Sequence, residues 1–207
     1  MNKSLFLLEI PFRGSRNYLS AAAVFNALSD ELKQRSRLLF HSDVEYSFHK
    51  VIGVNNVEFC MLSNSHAFSS KEWPIVLRSR VASGDTITIV GRPVNDRSLG
   101  AKRVAYDETR ERVEAEVIGS TIVFNGCASY SPLETIVSLK KKLLEETFPD
   151  ALGKWVFSRI VLDKIWSKEP EIFRVEFKVE ISMRLFKSNI YLDDEYIGQI
   201  FFSLVAT

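Results

Sequence analysis

The sequence has few cysteines and histidines, and it lacks the motifs that metal sites require. Its two cysteines, Cys60 and Cys127, form no CxxC pair, and its three histidines are scattered without HxH or HExxH spacing. This composition excludes a disulfide framework and provides no ligand spacing typical of structural zinc. We therefore expect no metal ion and no cofactor, and we interpret both cysteines as small apolar core residues.

Motifs for phosphate loops and serine nucleophiles are missing as well. The chain contains no GxGxxG, GxxxxGKS/T or GxSxG sequence, so no nucleotide-binding loop or nucleophile elbow is indicated. The net charge is +1, which gives no general attraction to nucleic acid or to an anionic membrane. Nucleic acid is therefore not an expected partner, although the first 103 residues are net basic and the remainder net acidic.

No apolar run is long enough to cross a bilayer. The opening segment MNKSLFLLEIPFRG is interrupted by Glu9, Pro11 and Arg13 before a signal-peptide core or a membrane span could form. We therefore predict a first strand in this segment. The expected location is cytoplasmic, and no membrane partner is expected.

An internal repeat is the clearest long-range feature of the sequence. Residues 10–32 (IPFRGSRNYLSAAAVFNALSDEL) are similar to residues 122–144 (IVFNGCASYSPLETIVSLKKKLL), and further similar segments follow in the same order. Identical pairs include Phe12 with Phe124, Gly14 with Gly126, and Tyr18 with Tyr130. Because self-similarity in one order indicates duplication, we predict a first repeat at 1–95 and a second at 113–207, joined by a polar connecting segment at 96–112.

The second repeat begins with a strong helix signal. Ser131-Pro132-Leu133-Glu134 combines an N-cap hydroxyl, a first-turn proline and an acid at the third helical position, which together form a capping box. Apolar residues at helical spacing follow, and the lysine-rich end Lys140-Lys141-Lys142 is predicted to face water. These features predict an amphipathic helix.

Alternating apolar residues predict strands after this helix. The segment FRVEFKVEISMRLF at 173–186 alternates at every second position, which predicts one half-buried antiparallel strand. Further strands are predicted at 155–166 and 197–206, with Asp193-Asp194 as the turn before the last strand. The predicted order of elements in this repeat is β-α-β-β-β-β.

The first repeat follows a similar plan. A helix is predicted over roughly 20–35, with its apolar residues at helical spacing. Strands are predicted at VEYSFHKVIGV, NVEFCML, PIVLRSRV and DTITIVGRPV, with Ser83-Gly84-Asp85 as a tight turn. One helix followed by antiparallel strands must bury the helix against a single curved sheet, so the predicted fold class is α+β.

Long alternating strands fill the stretch SRIVLDKIWSKEPEIFRVEFKVEISMRLFKSNIYLDDEYIGQIFFSL at 158–204, and an apolar helix precedes them. This pattern resembles the hotdog fold of acyl-thioester dehydratases and thioesterases, and the two repeats together resemble a double hotdog. In that arrangement each repeat is an antiparallel sheet around one central helix. The alternative is a tandem ferredoxin-like fold, which needs a second helix that the sequence does not indicate at 165–205.

The hotdog resemblance implies a ligand site near the start of each central helix. Backbone N–H groups would hold a thioester carbonyl there, because the helix dipole favours negative charge. The candidate substrate-binding residues are Arg13, Gly14, Arg16, Asn17 and Tyr18 in the first repeat, and Gly126 and Tyr130 in the second. An arginine can pair with a phosphate of CoA or of a carrier protein. The alternatives are ordinary surface charge for the arginines and a packing role for the tyrosines.

Two residues are candidates for the chemistry that the resemblance implies. Glu134 is a helix-borne carboxylate of the kind that some hotdog thioesterases use, although it also completes the capping box. His41 lies in a predicted loop, from which it could enter a cleft. The sequence departs from the dehydratase pattern, because neither pre-helix loop contains a histidine.

The function that follows from the resemblance is binding or processing of an acyl thioester, as in a thioesterase or a dehydratase, with acyl-CoA or acyl-carrier protein as partner. Two alternatives stay open. A non-catalytic protein-interaction module is favoured by the missing catalytic motif, and an RNA-associated tandem ferredoxin-like protein is favoured by the basic first repeat. A homo-oligomer is compatible with each of these functions.

Overall fold

The chain forms two compact units, Met1–Tyr106 and Asp107–Thr207. They are seen in a computed structural model that describes residues 4–36, 40–62, 69–81, 83–94, 102–182 and 185–206. Within these ranges, the side chains of residues 35, 36, 41, 180 and 182 are not described. Each unit combines one long helix with an antiparallel sheet, so the predicted α+β class is correct.

The described residues of the first unit form one long helix and seven strands. Its elements are β1 (Ser4–Glu9), β2 (Phe12–Arg13), α1 (Ala21–Ser36), β3 (Phe40–Phe48), β4 (Asn56–Leu62), β5 (Ile75–Val81), β6 (Thr86–Pro93) and β7 (Arg103–Val104). The sheet has the order β1-β4-β6-β5-β3, with antiparallel neighbours. The short strands β2 and β7 pair in parallel beside it.

Helix α1 packs through the apolar positions that the sequence places on its inner side. Val24, Phe25 and Leu28 are buried, and the Phe25 ring lies 5.4 Å from the Tyr46 ring of β3. The Tyr46 hydroxyl donates a hydrogen bond of 2.9 Å to the Ala21 carbonyl. Burial raises the pKa of Tyr46 well above its usual value, because the phenolate would be desolvated. Through its hydrogen bond to Ala21 and its ring contact with Phe25, Tyr46 holds the start of α1 against the sheet.

In the part of the second unit that the structure describes, there are a short helix, a long helix and six strands. Its elements are α2 (Thr109–Glu114), β8 (Glu116–Ile118), β9 (Thr121–Asn125), α3 (Pro132–Thr147), β10 (Lys154–Lys164), β11 (Ile172–Ser182), β12 (Leu185–Leu192) and β13 (Glu195–Val205). The strand order is β10-β13-β12-β11-β9-β8, again antiparallel. Helix α3 packs on β9, β10 and β11, and α2 packs on α3.

Most predicted elements are present. Helix α3 starts after Ser131, and the predicted order β-α-β-β-β-β is found from β9 to β13. The turn at Asp193-Asp194 joins β12 to β13 with φ angles of 48° and 62°. Two consecutive left-handed residues are typical of the two-residue turns that match strand twist. Local turn chemistry therefore determines this hairpin.

The strand predicted at 173–186 is wrong in its length, because the segment forms two strands. Strand β11 ends at Ser182 and β12 starts at Leu185, and the two pair with each other. Register shifts occur after Phe177 and after Glu180. A bulge moves the following side chains to the other face of the sheet. Val179 and Ile181 are therefore exposed, although their alternation predicted burial.

Three other predictions either differ from the structure or concern residues that the structure does not describe. Cys60 is buried as predicted, but Cys127 is exposed because it lies in the loop after β9. His41 lies in strand β3 and not in a loop, and its side chain is outside the described part. Residues 96–101 of the predicted connecting segment are also outside it. The repeat boundaries stay a prediction.

No helix in the described ranges is both long enough and apolar enough to cross a membrane.

Candidate functional site

The first turn of α3 holds a buried carboxylate. The Glu134 N–H donates to Ser131 Oγ at 3.3 Å, and Ser131 Oγ donates to Glu134 Oε2 at 3.0 Å. Pro132 occupies the first helical position, where a missing N–H has no cost. Glu134 is only 3% exposed. The predicted N-cap is therefore confirmed, and it places a carboxylate at the positive end of the helix dipole.

Two hydroxyl groups continue this polar strip along α3. Thr135 and Ser138 are each 2% exposed, and within the described part of the chain neither Thr135 Oγ1 nor Ser138 Oγ has a hydrogen-bond partner. They lie four and seven residues after Ser131, so the three residues share one face of the helix. A buried hydroxyl without a partner costs free energy. The strip therefore offers polar atoms that a bound ligand could satisfy.

The loop before α3 is fixed by hydrogen bonds within the second unit. The Gly126 N–H donates to the Glu171 carbonyl at 2.8 Å. The Ser129 N–H donates to Glu111 Oε1 at 2.7 Å, and the Asp107 N–H donates to the Tyr130 hydroxyl at 2.7 Å. The loop that carries the candidates Gly126 and Tyr130 is thus held at both ends.

Glu111 is a site residue that sequence reasoning missed. It lies in α2, is 1% exposed and holds Ser129 of the loop before α3. In the sequence it stands in the charged segment DETRERVE, where an acid is ordinarily solvated. No local signal separates it from its neighbour Glu114, which is exposed and pairs with Arg110.

The first turn of α1 lacks the carboxylate. Ser20 caps α1, because the Ala23 N–H donates to Ser20 Oγ at 3.2 Å. Ala23 therefore occupies the third helical position that Glu134 occupies in α3. The first turn of α1 contains no acid. A carboxylate at this position is thus a property of the second unit.

The loop before α1 gathers three guanidinium groups within the first unit. The Cζ atoms of Arg13 and Arg16 lie 5.9 Å and 4.8 Å from the centre of the Tyr106 ring, distances typical of cation–π contact. Arg103 Nη1 donates to the carbonyls of Gly14 and Arg16, at 3.2 Å and 2.5 Å. Arg13 and Arg16 are half-buried beside Tyr106 and Arg103 is exposed, and together they make this loop a local concentration of positive charge.

The remaining candidates of this loop differ in exposure and conformation. Asn17 and Tyr18 are exposed, and Tyr18 keeps 39% of its accessible surface. Gly14 has a φ of +58°, and a Cβ atom there would lie 3.1 Å from the Tyr106 carbonyl oxygen. The glycine is therefore required by both its backbone conformation and the close approach of Tyr106. Within the described residues, no three His, Cys, Asp or Glu side chains are grouped so as to hold a metal ion.

Lys140 contradicts the prediction that it faces water. It is fully buried on α3, and its Nζ donates a 2.6 Å hydrogen bond to Ser188 Oγ. The same Nζ lies 5.0 Å from the centre of the Phe177 ring. Burial lowers the pKa of Lys140 to about 7, because desolvation disfavours the ammonium form. Lys140 is four residues after the buried Ile136 and lies on the same face of α3, but a lysine in a lysine-rich segment is ordinarily solvated.

Comparison with known proteins identifies the fold. Neither a protein-family model nor a curated protein sequence matches the chain. The dehydratase domain of PpsC from Mycobacterium tuberculosis, solved in complex with C12:1-CoA, is similar with a TM-score of 0.56 and 8% identity, over 98% of this chain and 94% of that one.

Two further solved structures agree. A protein assigned as a thioesterase II from Thermobifida fusca has a TM-score of 0.53 and 10% identity, over 100% of this chain and 93% of that one. A protein assigned as an oleoyl thioesterase from Lactobacillus plantarum has a TM-score of 0.51 and 10% identity, over 100% and 96% of the two chains. The resemblance predicted from the sequence is therefore confirmed for the fold, which is the hotdog type of thioesterases and dehydratase domains.

Proposed function

We propose that this chain binds and processes acyl thioesters of CoA or of an acyl-carrier protein, and that the first turn of α3 receives the thioester group. The observation that carries the proposal is the buried Ser131–Glu134 pair at the start of the central helix of a hotdog-like unit. The similar PpsC domain was solved with C12:1-CoA bound, which supports an acyl-CoA as the ligand class.

The geometry of the first turn suits a thioester carbonyl. Pro132 has no N–H, and the Glu134 N–H is bonded to Ser131 Oγ. The Leu133 N–H is thus the first-turn donor that remains to meet a carbonyl oxygen. A carbonyl placed there would benefit from the helix dipole when negative charge develops on it. Glu134, next in the chain, would act as general acid or base, or would position a water molecule.

The remaining predicted residues take supporting roles in this proposal. Gly126 and Tyr130 shape the loop that leads into α3. Within the first unit, Arg13 and Arg16 give the loop before α1 a positive charge that suits a phosphate group, and Gly14, Asn17 and Tyr18 shape that loop. His41 stays a candidate whose role depends on a side chain outside the described part.

We further propose that the two units descend from one duplicated hotdog, which makes the chain a double hotdog in a cytoplasmic setting. The element order of α1 with β3 to β6, and of α3 with β10 to β13, supports this proposal. Divergence then left the carboxylate in the second unit and the arginine-rich loop in the first. The RNA-associated alternative, which the basic first repeat favoured, required a tandem ferredoxin-like fold, and the solved structures that this chain resembles are of the hotdog type.

The proposal is tested with a stable thioester analogue and a substrate. Isothermal titration of the protein with S-dodecyl-CoA, a thioether that cannot be hydrolysed, should give saturable binding, and dodecanoyl-CoA should release free thiol. Absence of binding by S-dodecyl-CoA would refute the ligand class. Binding without thiol release from dodecanoyl-CoA and without loss of water from 3-hydroxydodecanoyl-CoA would contradict processing and would favour a non-catalytic binding module.

The Glu134→Gln variant should lose turnover and keep its fold. Glutamine can still take part in a capping box, so we expect the free energy of unfolding to fall by no more than about 1 kcal/mol. Loss of the acid–base group should lower turnover of dodecanoyl-CoA by about a hundredfold or more. Turnover is measured as thiol release, and stability by urea denaturation.

A matched control separates capping from chemistry. Ser131→Ala removes the N-cap and should cost about 1 kcal/mol of stability, while the Glu134 carboxylate is retained. Unchanged turnover in Glu134→Gln would contradict a chemical role for this carboxylate, whatever the stability of the variant.

A further inference from the structure

Among the described residues, one carboxylate oxygen of Glu111 accepts a hydrogen bond and the other does not. Glu111 Oε1 accepts the Ser129 N–H at 2.7 Å, whereas Glu111 Oε2 is buried and has no hydrogen-bond partner among the described residues. The residue is 1% exposed in the free protein. A buried carboxylate oxygen that lacks a donor is costly. A hydrogen-bond donor on a ligand at this position would remove that cost.

The position of Glu111 relates it to the proposed thioester site. Ser129 lies two residues before the N-cap Ser131, and α2 packs on α3. The carboxylate is thus next to the loop by which a ligand would approach the first turn. If the acyl chain of the ligand runs along α3 away from its first turn, the part of the ligand on the other side of the thioester sulfur must pass the loop before α3.

We propose that Glu111 is a ligand-binding residue, whose Oε2 accepts a hydrogen bond from the cysteamine amide N–H of a pantetheine thioester bound at α3. This inference rests on the proposed function and specifies that the second unit recognises the cysteamine amide of the ligand. An ionised carboxylate accepts hydrogen bonds and donates none, so its ligand atom must be a donor. The cysteamine amide is the donor nearest to the thioester, separated from its sulfur by two methylene groups.

The hydrogen bond from Ser129 prepares Glu111 for this role. It fixes one oxygen, and the orientation of the carboxylate with it, before the ligand binds. A carboxylate held in this way loses little conformational freedom on binding. Charge-assisted hydrogen bonds of this type are stronger than neutral ones, so the amide should contribute measurably to affinity.

The test compares two small ligands that differ only in the donor. S-Dodecyl-N-acetylcysteamine carries the amide N–H, and the corresponding O-acetyl-2-mercaptoethanol thioether has an ester oxygen in its place. Wild-type protein should bind the amide about tenfold or more tightly than the ester. In Glu111→Gln, whose side-chain carbonyl can still accept from Ser129, this preference should disappear. Titration calorimetry measures all four affinities.

Glu114→Gln is the matched control, because Glu114 lies on the same helix and is exposed, with Arg110 as partner. It should keep the wild-type preference for the amide. Thermal unfolding of the free variants completes the comparison. Because Glu111→Gln removes a buried carboxylate with incomplete hydrogen bonding, its midpoint of thermal unfolding should equal or exceed that of the wild-type protein.

The outcomes distinguish this inference from the proposed function. Equal affinity of wild-type protein for amide and ester would overturn the role of Glu111, while binding itself would uphold the ligand class. A retained amide preference in Glu111→Gln, together with a lowered midpoint, would assign Glu111 to loop structure alone. Failure of the wild-type protein to bind S-dodecyl-CoA as well as both small ligands would overturn both proposals.

Discussion

Replacement of Lys140 by methionine is expected to remove most of the pH dependence of stability between about pH 7 and about pH 10. In the folded protein the pKa of Lys140 is lowered from 10.5 to about 7 by burial. The unfolded chain therefore binds a proton in this range that the folded chain does not. It follows that the wild-type protein becomes more stable as the pH rises from about 7, and that this gain ends near the unfolded-state pKa.

The size of the effect follows from the two pKa values. Each pH unit within the window changes the free energy of unfolding by about 1.4 kcal/mol. The two pKa values, 10.5 and about 7, therefore correspond to a total change of about 5 kcal/mol in wild-type protein. Methionine has a similar length and no charge, so Lys140→Met should show little slope.

The partner of Lys140 must be treated together with it. Lys140→Met leaves the buried Ser188 hydroxyl without the ammonium that it contacts at 2.6 Å, which offsets part of the gain. The double variant Lys140→Met/Ser188→Ala removes both groups and should be more stable than wild type by about 2 kcal/mol at neutral pH. Stability is measured by urea denaturation followed by circular dichroism across the pH window.

Lys141→Met provides the control for this experiment. Lys141 is adjacent in the chain but partly exposed, and its Nζ lies 4.0 Å from Glu145 Oε1. Its replacement should therefore change the free energy of unfolding by only roughly a few tenths of a kcal/mol. It should also keep the wild-type slope. A Lys140→Met variant with the same slope as wild type would show that the ammonium is not desolvated.

The Gly198→Ala variant is expected to lose about 3 kcal/mol of stability or more. Gly198 lies in β13 and pairs with Leu162 of β10 and with Ile190 of β12. Its φ is +151°, and an added Cβ would lie 2.8 Å from Leu162 Cα and still closer to the Val161 carbonyl oxygen. These are backbone atoms of β10, which pairs with β13, so they cannot move without breaking the hydrogen bonds between the two strands.

Gly84→Ala separates backbone strain from steric overlap. Gly84 has a φ of +90°, and a Cβ there would meet nothing within 4 Å. Its replacement should cost about 1 kcal/mol, which is the strain of a left-handed residue alone. Urea denaturation of both variants measures the difference. Equal losses in Gly198→Ala and Gly84→Ala would contradict the proposed overlap with β10.

Much of the local structure could be predicted from the sequence. Ser131 marks the start of α3, the Asp193-Asp194 turn marks the last hairpin, and apolar spacing marks the inner face of α1. Each of these signals depends on residues close in the chain, such as an N-cap hydroxyl and the N–H groups of the next turn. The hotdog resemblance follows from the order of these elements, and the comparison of structures confirms it.

The candidate site could be predicted only in part. The hotdog resemblance made Glu134 a candidate, the capping box placed it at the third helical position, and the structure adds that this carboxylate is buried. Glu111 was missed, because an acid in a charged segment is indistinguishable from a solvated one. The break between β11 and β12 was missed as well, since alternation continues across it while bulges change the face.

The sequence by itself determined where the two long helices α1 and α3 begin, which of their positions form an apolar face, and that the third helical position of α3 carries an acid. These are consequences of hydrogen bonds and side-chain spacing within a few residues. The tertiary structure alone decided that Lys140 and Glu111 are buried and that Gly198 must lack a side chain. The solvation of a charge and the room for a Cβ atom depend on what packs from distant parts of the chain.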